Sequence, residues 1–238
     1  MKQAFKIDTH RVVTPHFPAC SFCKIGRGES ANWIDRPLAE TESFVAIPSL
    51  GSITAGWIMI VPKFHALNFS ASYNDAEFRK LANEVINHLK PFGGQIHMFE
   101  HGPLDQGSAT GCGVDHAHVH FVPLSRDFSG TIESLDPSLV WNEISLEHIN
   151  NVFQDKEYLL YSTDAENHLD RVHVAKLDAP RSQFFRRAVA AQLNLANHFD
   201  YKEHDFLDNV EETYRVFHDM LSNESTDTSL AILNTGQR

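Results

Sequence analysis

Hydrophobic positions fall into two kinds of run in the first half of the chain. Residues 42–47 (ESFVAI) and 55–61 (AGWIMIV) are short, rich in aromatic and branched side chains and flanked by Pro and Gly, which predicts two strands joined by a short loop. From Asn74 to Phe92 the spacing changes. Phe78, Leu81, Val85 and Leu89 recur at steps of three and four, Asn74 can cap the start, and Gly93-Gly94 ends the run, so an amphipathic helix is expected. A strand over 95–100 (QIHMFE), a glycine-rich loop from Gly102 to Gly113 and a strand over 114–122 complete the unit. Strands flanking one helix through short links predict an α+β arrangement, an antiparallel sheet packed on a helix.

After Pro123 the chain becomes polar and turn-rich (LSRDFSGTIESLDPS), and a boundary is expected there. Asp136-Pro137 can open a helix running to about Asn150. Residues 157–162 and 171–177 read as strands, and Ser182 to Leu195 and Phe206 to Leu221 as helices. The expected division is therefore a domain over 1–125, an extension over 126–221 and a flexible tail over 222–238.

Composition narrows the classes. A chain of 238 residues can bury a full core without disulfides. With three cysteines and an opening, MKQAFKIDTH, that lacks the pattern of a secretory signal peptide, reduced thiols and a cytoplasmic protein are expected. The longest apolar stretch, Ile53 to Val61, is too short to span a bilayer, so no membrane partner is expected. The formal charge of -11, with acids spread along the chain, repels long polyanions and argues against nucleic acid as a partner. A small phosphate ligand is compatible, since a few backbone N–H groups can hold it locally.

Fifteen histidines are many for this length, and three of them are patterned. In VDHAHVHFVP (114–123), His116, His118 and His120 alternate with Ala117, Val119 and Phe121, the period of a strand with imidazoles on one face and core on the other. A solitary strand histidine is more often a satisfied core group; three on one face serve no packing purpose. Near neutral pH imidazole is largely unprotonated and can attack phosphorus without a separate base, and His118, flanked on both sides, is the nucleophile candidate. Backbone N–H groups of the preceding loop, around Gly107, Ser108, Gly111 and Gly113, could cradle phosphate oxygens. Two other readings stay open: the three histidines sharing one catalytic metal, and a nucleotide-binding frame without activity.

Further features carry less. Cys20-Ser-Phe-Cys23 alone could be a redox pair, but no βαβ pattern surrounds it. Cys112 reads as a small buried residue rather than a reactive thiol. His97 and His101 either line a pocket or are ordinary satisfied histidines. The segment Arg181-Ser182-Gln183-Phe184-Phe185-Arg186-Arg187 starts a helix, a natural anion site, although arginines on such helices are usually solvated; folded over the triad, this helix would help choose the substrate.

His116-Ala117-His118-Val119-His120-Phe121-Val122 resembles the H-φ-H-φ-H-φ-φ signature of the histidine-triad (HIT) family. Upstream, Cys20 and Cys23, then GWIMIVPKFH ending at His65, then the helix and the triad, follow the order of its zinc-containing members, over roughly residues 15–125. The resemblance implies a HIT-like antiparallel five-stranded sheet with a helix, here with a C-terminal α+β extension. It implies a nucleotide hydrolase in which His118 attacks the α-phosphate to form a nucleotidyl-histidine intermediate and His120 assists with a proton. The galactose-1-phosphate uridylyltransferase branch has glutamine at the position of His120, which favours hydrolysis over nucleotidyl transfer. Cys20, Cys23, His65 and His116 would hold a structural zinc ion, with no organic cofactor. Where many small members carry a polar Gln-Ser pair this chain has Cys112-Gly113, and Ser108, Gly111 and Gly113 are the expected phosphate contacts instead. Many relatives pair as homodimers through sheet edge and helix; an extension could cover that surface instead.

Overall fold

The computed structural model describes residues 19–152 and 155–220; the opening decapeptide and the tail over 222–238 lie outside them. Eight strands form one antiparallel sheet: β1 (Ala39–Glu40), β2 (Phe44–Pro48), β3 (Ile58–Pro62), β4 (Gln95–Gly102), β5 (Val119–Leu124), β6 (Asn142–Ser145), β7 (Tyr158–Ser162) and β8 (Arg171–Lys176), in the order β1-β2-β3-β5-β4-β7-β8-β6. The first five come from residues before 125, as expected. The other three continue the same sheet, because β7 pairs with the free edge of β4, Phe99 opposite Tyr161 and Glu100 opposite Leu160. On its other side β4 pairs with β5, which sets Phe99 opposite His120.

Both faces of this sheet are covered, which is why β2, β3, β5 and β7 are buried at every position. The helices are α1 (Ser21–Gly26), α2 (Ala76–Leu89), α3 (Ser129–Leu135), α4 (Ile149–Val152), α5 (Ala165–His168), α6 (Phe184–Gln192) and α7 over 207–220. Phe78, Leu81, Val85 and Leu89 of α2 and Phe217 of α7 pack on Phe44, Ala46, Val119 and Phe121. The alternate strand positions point the other way: Val45, Ile47 and Met59 meet Ile25 of α1, and Val122 meets Ile132 of α3 and Phe185, Ala188 and Val189 of α6. His120, between Phe121 and Val119, therefore faces the α1/α6 side. Among the described residues no helix is long and apolar enough to cross a membrane.

Four local expectations need correction. The cap of α2 is Asp75, whose carboxylate accepts from Glu77 N at 2.8 Å, while Asn74 donates its amide to Glu147 O. The expected helix from Pro137 to Asn150 is instead β6 followed by short helical turns: Glu143 pairs with His173 and Ile144 with Val172 on β8, and edge pairing outweighs a weak local helix signal. The polar stretch after Pro123 contains α3, anchored by buried Phe128 and Ile132. Finally, the ladder of β5 begins at Val119, not Val114. Ala117 N bonds Ala66 O at 2.6 Å outside the sheet, so of the three patterned histidines His120 alone is a strand residue.

Candidate active site and metal centre

Because His116 precedes the strand at a bend, its ring is free to turn toward the N-terminal helix. It meets Cys20 Sγ at 3.3 Å and Cys23 Sγ at 3.6 Å through Nδ1, and Cys23 Sγ lies 3.5 Å from His65 Nδ1. One ligand atom from each of Cys20, Cys23, His65 and His116 falls within 4.8 Å of the others. His116 Nε2 lies 2.9 Å from Pro62 O. A carbonyl can only accept, so Nε2 carries the proton and Nδ1 offers its lone pair to the cluster, the tautomer a metal ligand needs. Two thiols and two imidazoles converging in this way fit a closed tetrahedral site. Burial, reinforced by Cys20 beside it, pushes the Cys23 thiol up to about 11, a preference that a cation shared by the four donors reverses.

The next histidine is built from the first. His118 Nδ1 lies 2.8 Å from the backbone oxygen of His116, so Nδ1 holds the proton and Nε2 is left as the unprotonated nitrogen. Burial lowers its pKa and keeps the ring neutral. His120 is arranged in the opposite sense. Trp57 Nε1–H donates to His120 Nδ1 at 3.0 Å, so Nδ1 accepts and the single proton sits on Nε2. Burial again holds the ring neutral. Phe99 stacks on His120 at 4.7 Å, and the rings of His118 and His120 lie 4.9 Å apart. Phe22 of α1 sets its edge against both His116 and His118, at 5.7 and 5.5 Å.

His118 and His120 line one cavity of about 320 Å³, within the range of small-molecule sites. Phe22, Ile25, Ile47 and Met59 form an apolar part of its wall, and Asn32 and Asp35 a polar part. From the C-terminal half, Arg186 of α6 and Tyr201 close it. His101, on β4, also lines the cavity; burial drives its pKa down to about 3, and its Nε2 accepts from Phe185 N at 3.3 Å. His97 points to the same face of the sheet but lies under Phe128, with ring centroids 4.7 Å apart, and is not part of the wall of the His118–His120 cavity.

The glycine-rich loop is placed differently from the triad. Cys112 and Val114 line the cavity, whereas Ser108, Gly111 and Gly113 do not. Ser108 caps a short 3-10 turn by accepting from Thr110 N, Gly111 is buried against Pro103, and Gly113, with φ of 85°, faces the outer cleft beside His65 and Asp115. Cys112 is neutral, its thiol raised to about 11 by burial. At the start of α6, Gln183 N donates to Cys112 Sγ and Arg181 pairs with Asp136, so the helix terminus is engaged within the protein. Trp57, Arg186 and Tyr201 carried no functional signal in the sequence beyond the motif or helix that contains them.

No family model and no curated protein matches the sequence. Among solved structures, the chain is similar to a hypothetical histidine triad nucleotide-binding protein from Sulfolobus tokodaii (26% identity, TM-score 0.35, 44% of this chain and 68% of that one). It is similar to a HIT family hydrolase from Clostridium thermocellum (25%, 0.33, 46% and 93%) and to a histidine triad protein from Clostridium difficile (23%, 0.32, 47% and 96%). The segment from His116 to Val122, with its first histidine in a Cys20–Cys23–His65 cluster and its other two in one cavity, has the arrangement that the resemblance to the histidine-triad family implies.

Proposed function

We propose that the protein is a HIT-type nucleotide hydrolase acting at the α-phosphate of a nucleotide conjugate through a nucleotidyl-histidine intermediate. The observation that carries this reading is the pair of opposite tautomers in one cavity. His118 presents an unprotonated Nε2 and His120 a protonated one, one nitrogen to attack phosphorus and one N–H to bind the phosphate oxygens as charge builds up. His118 Nε2 bonds to phosphorus as the leaving group departs, and water then releases the nucleotide. The apolar wall at Phe22, Ile25, Ile47 and Met59 suits a base.

Cys20, Cys23, His65 and His116 are the residues that would hold zinc, which would supply charge neutralisation and a fixed anchor for the N-terminal helix. The same anchor holds the His116 backbone, whose carbonyl orients His118. A metal shared by all three triad histidines is disfavoured: His116 Nδ1 is turned to the thiols, and among the described residues His118 and His120 join no group of three or more donors. A uridylyltransferase-like or non-catalytic protein is less favoured, since the acid–base partner His120 is present and aligned. A homodimer remains compatible with this reading, although β7 already occupies the edge of β4. Turnover of dinucleoside polyphosphates, nucleoside phosphoramidates and nucleotide sugars, with His118→Ala as control, tests the proposal. The expected result is release of a nucleoside monophosphate, abolished at least about a thousandfold in the variant, and a labelled nucleotidyl-protein after quenching. Equal turnover by wild type and His118→Ala would sink it.

A further inference from the structure

Arg186 carries a full charge into the cavity wall with no acidic side chain against it. The residue is 4% exposed and forms no ion pair among the described residues. Its Nε and Nη2 donate to the carbonyls of Phe199 and Gly51 at 2.8 and 2.5 Å, and its guanidinium lies 5.0 Å from the Trp57 ring centroid and 5.7 Å from that of Tyr201. Gly51 has φ of 70°, and a Cβ there would come within 2.9 Å of Nη2, so the seat is shaped for the arginine. Asp200 acts on it only through space. Carbonyls orient a guanidinium but do not neutralise it, and a buried, uncompensated charge is costly unless a ligand completes the site. Nη1 has no protein acceptor among the described residues.

The triad adds a chemical restriction. While Trp57 donates to His120 Nδ1, that ring holds one proton and is no imidazolium, and the proton of His118 is committed to the His116 carbonyl. A phosphate leaves as an anion and needs no proton, whereas an amine must take one, from His120 Nε2 or from solvent, as it departs.

We infer that Arg186 binds a second phosphate of the substrate, on the leaving-group side of the phosphorus that His118 attacks, so that the substrate class is a nucleoside di- or polyphosphate conjugate. This rests on His118 as the nucleophile. The His118 Nε2–P bond forms as the P–O bond to the bridging oxygen breaks, and the electron pair departs on a phosphate whose charge Arg186 takes. Water then forms the new P–O bond, the P–N pair returns to His118, and the water's proton passes to solvent. Trp57 touches both groups, edge-on to His120 and under the Arg186 guanidinium.

The test is equilibrium binding of AMP against ADP, and GMP against GDP, to the full chain by calorimetry. For at least one base the wild type should prefer the diphosphate by about tenfold to a hundredfold, the scale of a charged hydrogen bond. Arg186→Gln should reduce that preference to about twofold or less with monophosphate affinity kept, and Arg186→Lys should retain part of it. Equal wild-type affinity for mono- and diphosphate would overturn the inference, as would an Arg186→Gln variant that weakens both equally. Should Arg186→Gln fail to fold, the wild-type ratio decides alone. Binding needs no turnover: a preference without hydrolysis leaves Arg186's role standing and removes the hydrolase reading, hydrolysis without preference does the reverse, and a wild type that binds none of the four loses both.

Discussion

The indole N–H of Trp57 donates to Nδ1 of His120 at 3.0 Å, and that single bond decides which nitrogen of the third triad histidine carries the proton. Trp57 is fully buried and meets Phe99 edge-on at 5.6 Å, so the donor is held rigidly by packing.

Trp57→Phe keeps most of the buried ring and removes the donor. The tautomer of His120 is then no longer enforced, and kcat should fall about tenfold to a hundredfold with KM changed much less. Steady-state kinetics beside a thermal melt checks this: an unchanged kcat in a folded variant removes Trp57 from the positioning of His120.

Metal content should follow the cysteine–histidine cluster and not the nucleophile. Purified wild type is expected to hold about one zinc per chain, as is His118→Ala, whereas Cys23→Ser should lose the metal and melt about 10 °C or more lower. Elemental analysis alongside calorimetry reads both. Zinc retained in Cys23→Ser, or lost in His118→Ala, would contradict the assignment of donors.

Glu100 on β4 is wholly buried and accepts from Tyr73 Oη at 2.6 Å, from Tyr158 Oη at 2.8 Å and from Phe69 N at 2.6 Å. Burial outweighs these donors and raises its pKa to about 7. With the folded value above the unfolded 4.5, the native state binds the extra proton between these limits. Its contribution is full below about 4.5 and is lost as pH rises to about 7, with a slope of at most about 1.4 kcal/mol per pH unit. Urea unfolding at pH 5 and 7.5 should therefore show wild type losing more stability than Glu100→Gln over that interval; parallel curves would refute it.

His97 works in the other direction. Burial beneath Phe128 lowers its pKa from 6.5 to about 4, and the backbone of Arg126 is within reach without a hydrogen bond of good geometry. The folded state holds the ring neutral, so its contribution is full above about 6.5 and is lost as pH falls toward 4. His97→Leu should gain stability over wild type by up to about 2 kcal/mol more at pH 5 than at pH 7.5. Denaturant midpoints measured at the two pH values decide the matter, and an equal offset at both would reject the prediction.

Much of the central fold was legible because its apolar periods are strong. The steps from Phe78 to Leu89 mark α2, and Gly94 marks its exit, since φ there is 78° and a Cβ would strike Leu124 O at 2.3 Å. The metal cluster was legible only through resemblance, as spacing alone left the cysteines open to a redox reading. Ser108, Gly111 and Gly113 show the limit of a composition argument: a loop can be glycine-rich because its turns need it, here at Gly107 and Gly113 with φ of 78° and 85°, while Cys112 and Val114 reach the cavity.

What the linear chain determined by itself was local: which residues are apolar at which period, and that three imidazoles recur every second position. Whether those imidazoles act alike was decided by tertiary structure. His116 leaves the ladder for the thiols, His118 takes its tautomer from a backbone carbonyl, and His120 takes the opposite one from Trp57, 63 residues away in sequence. Arg186 reaches the same cavity because β7 and β8 extend the sheet and bring α6 over β4 and β5. Proton placement and charge depend on which donors and acceptors surround a group after water is excluded, and those neighbours come from chain segments whose proximity no local pattern encodes.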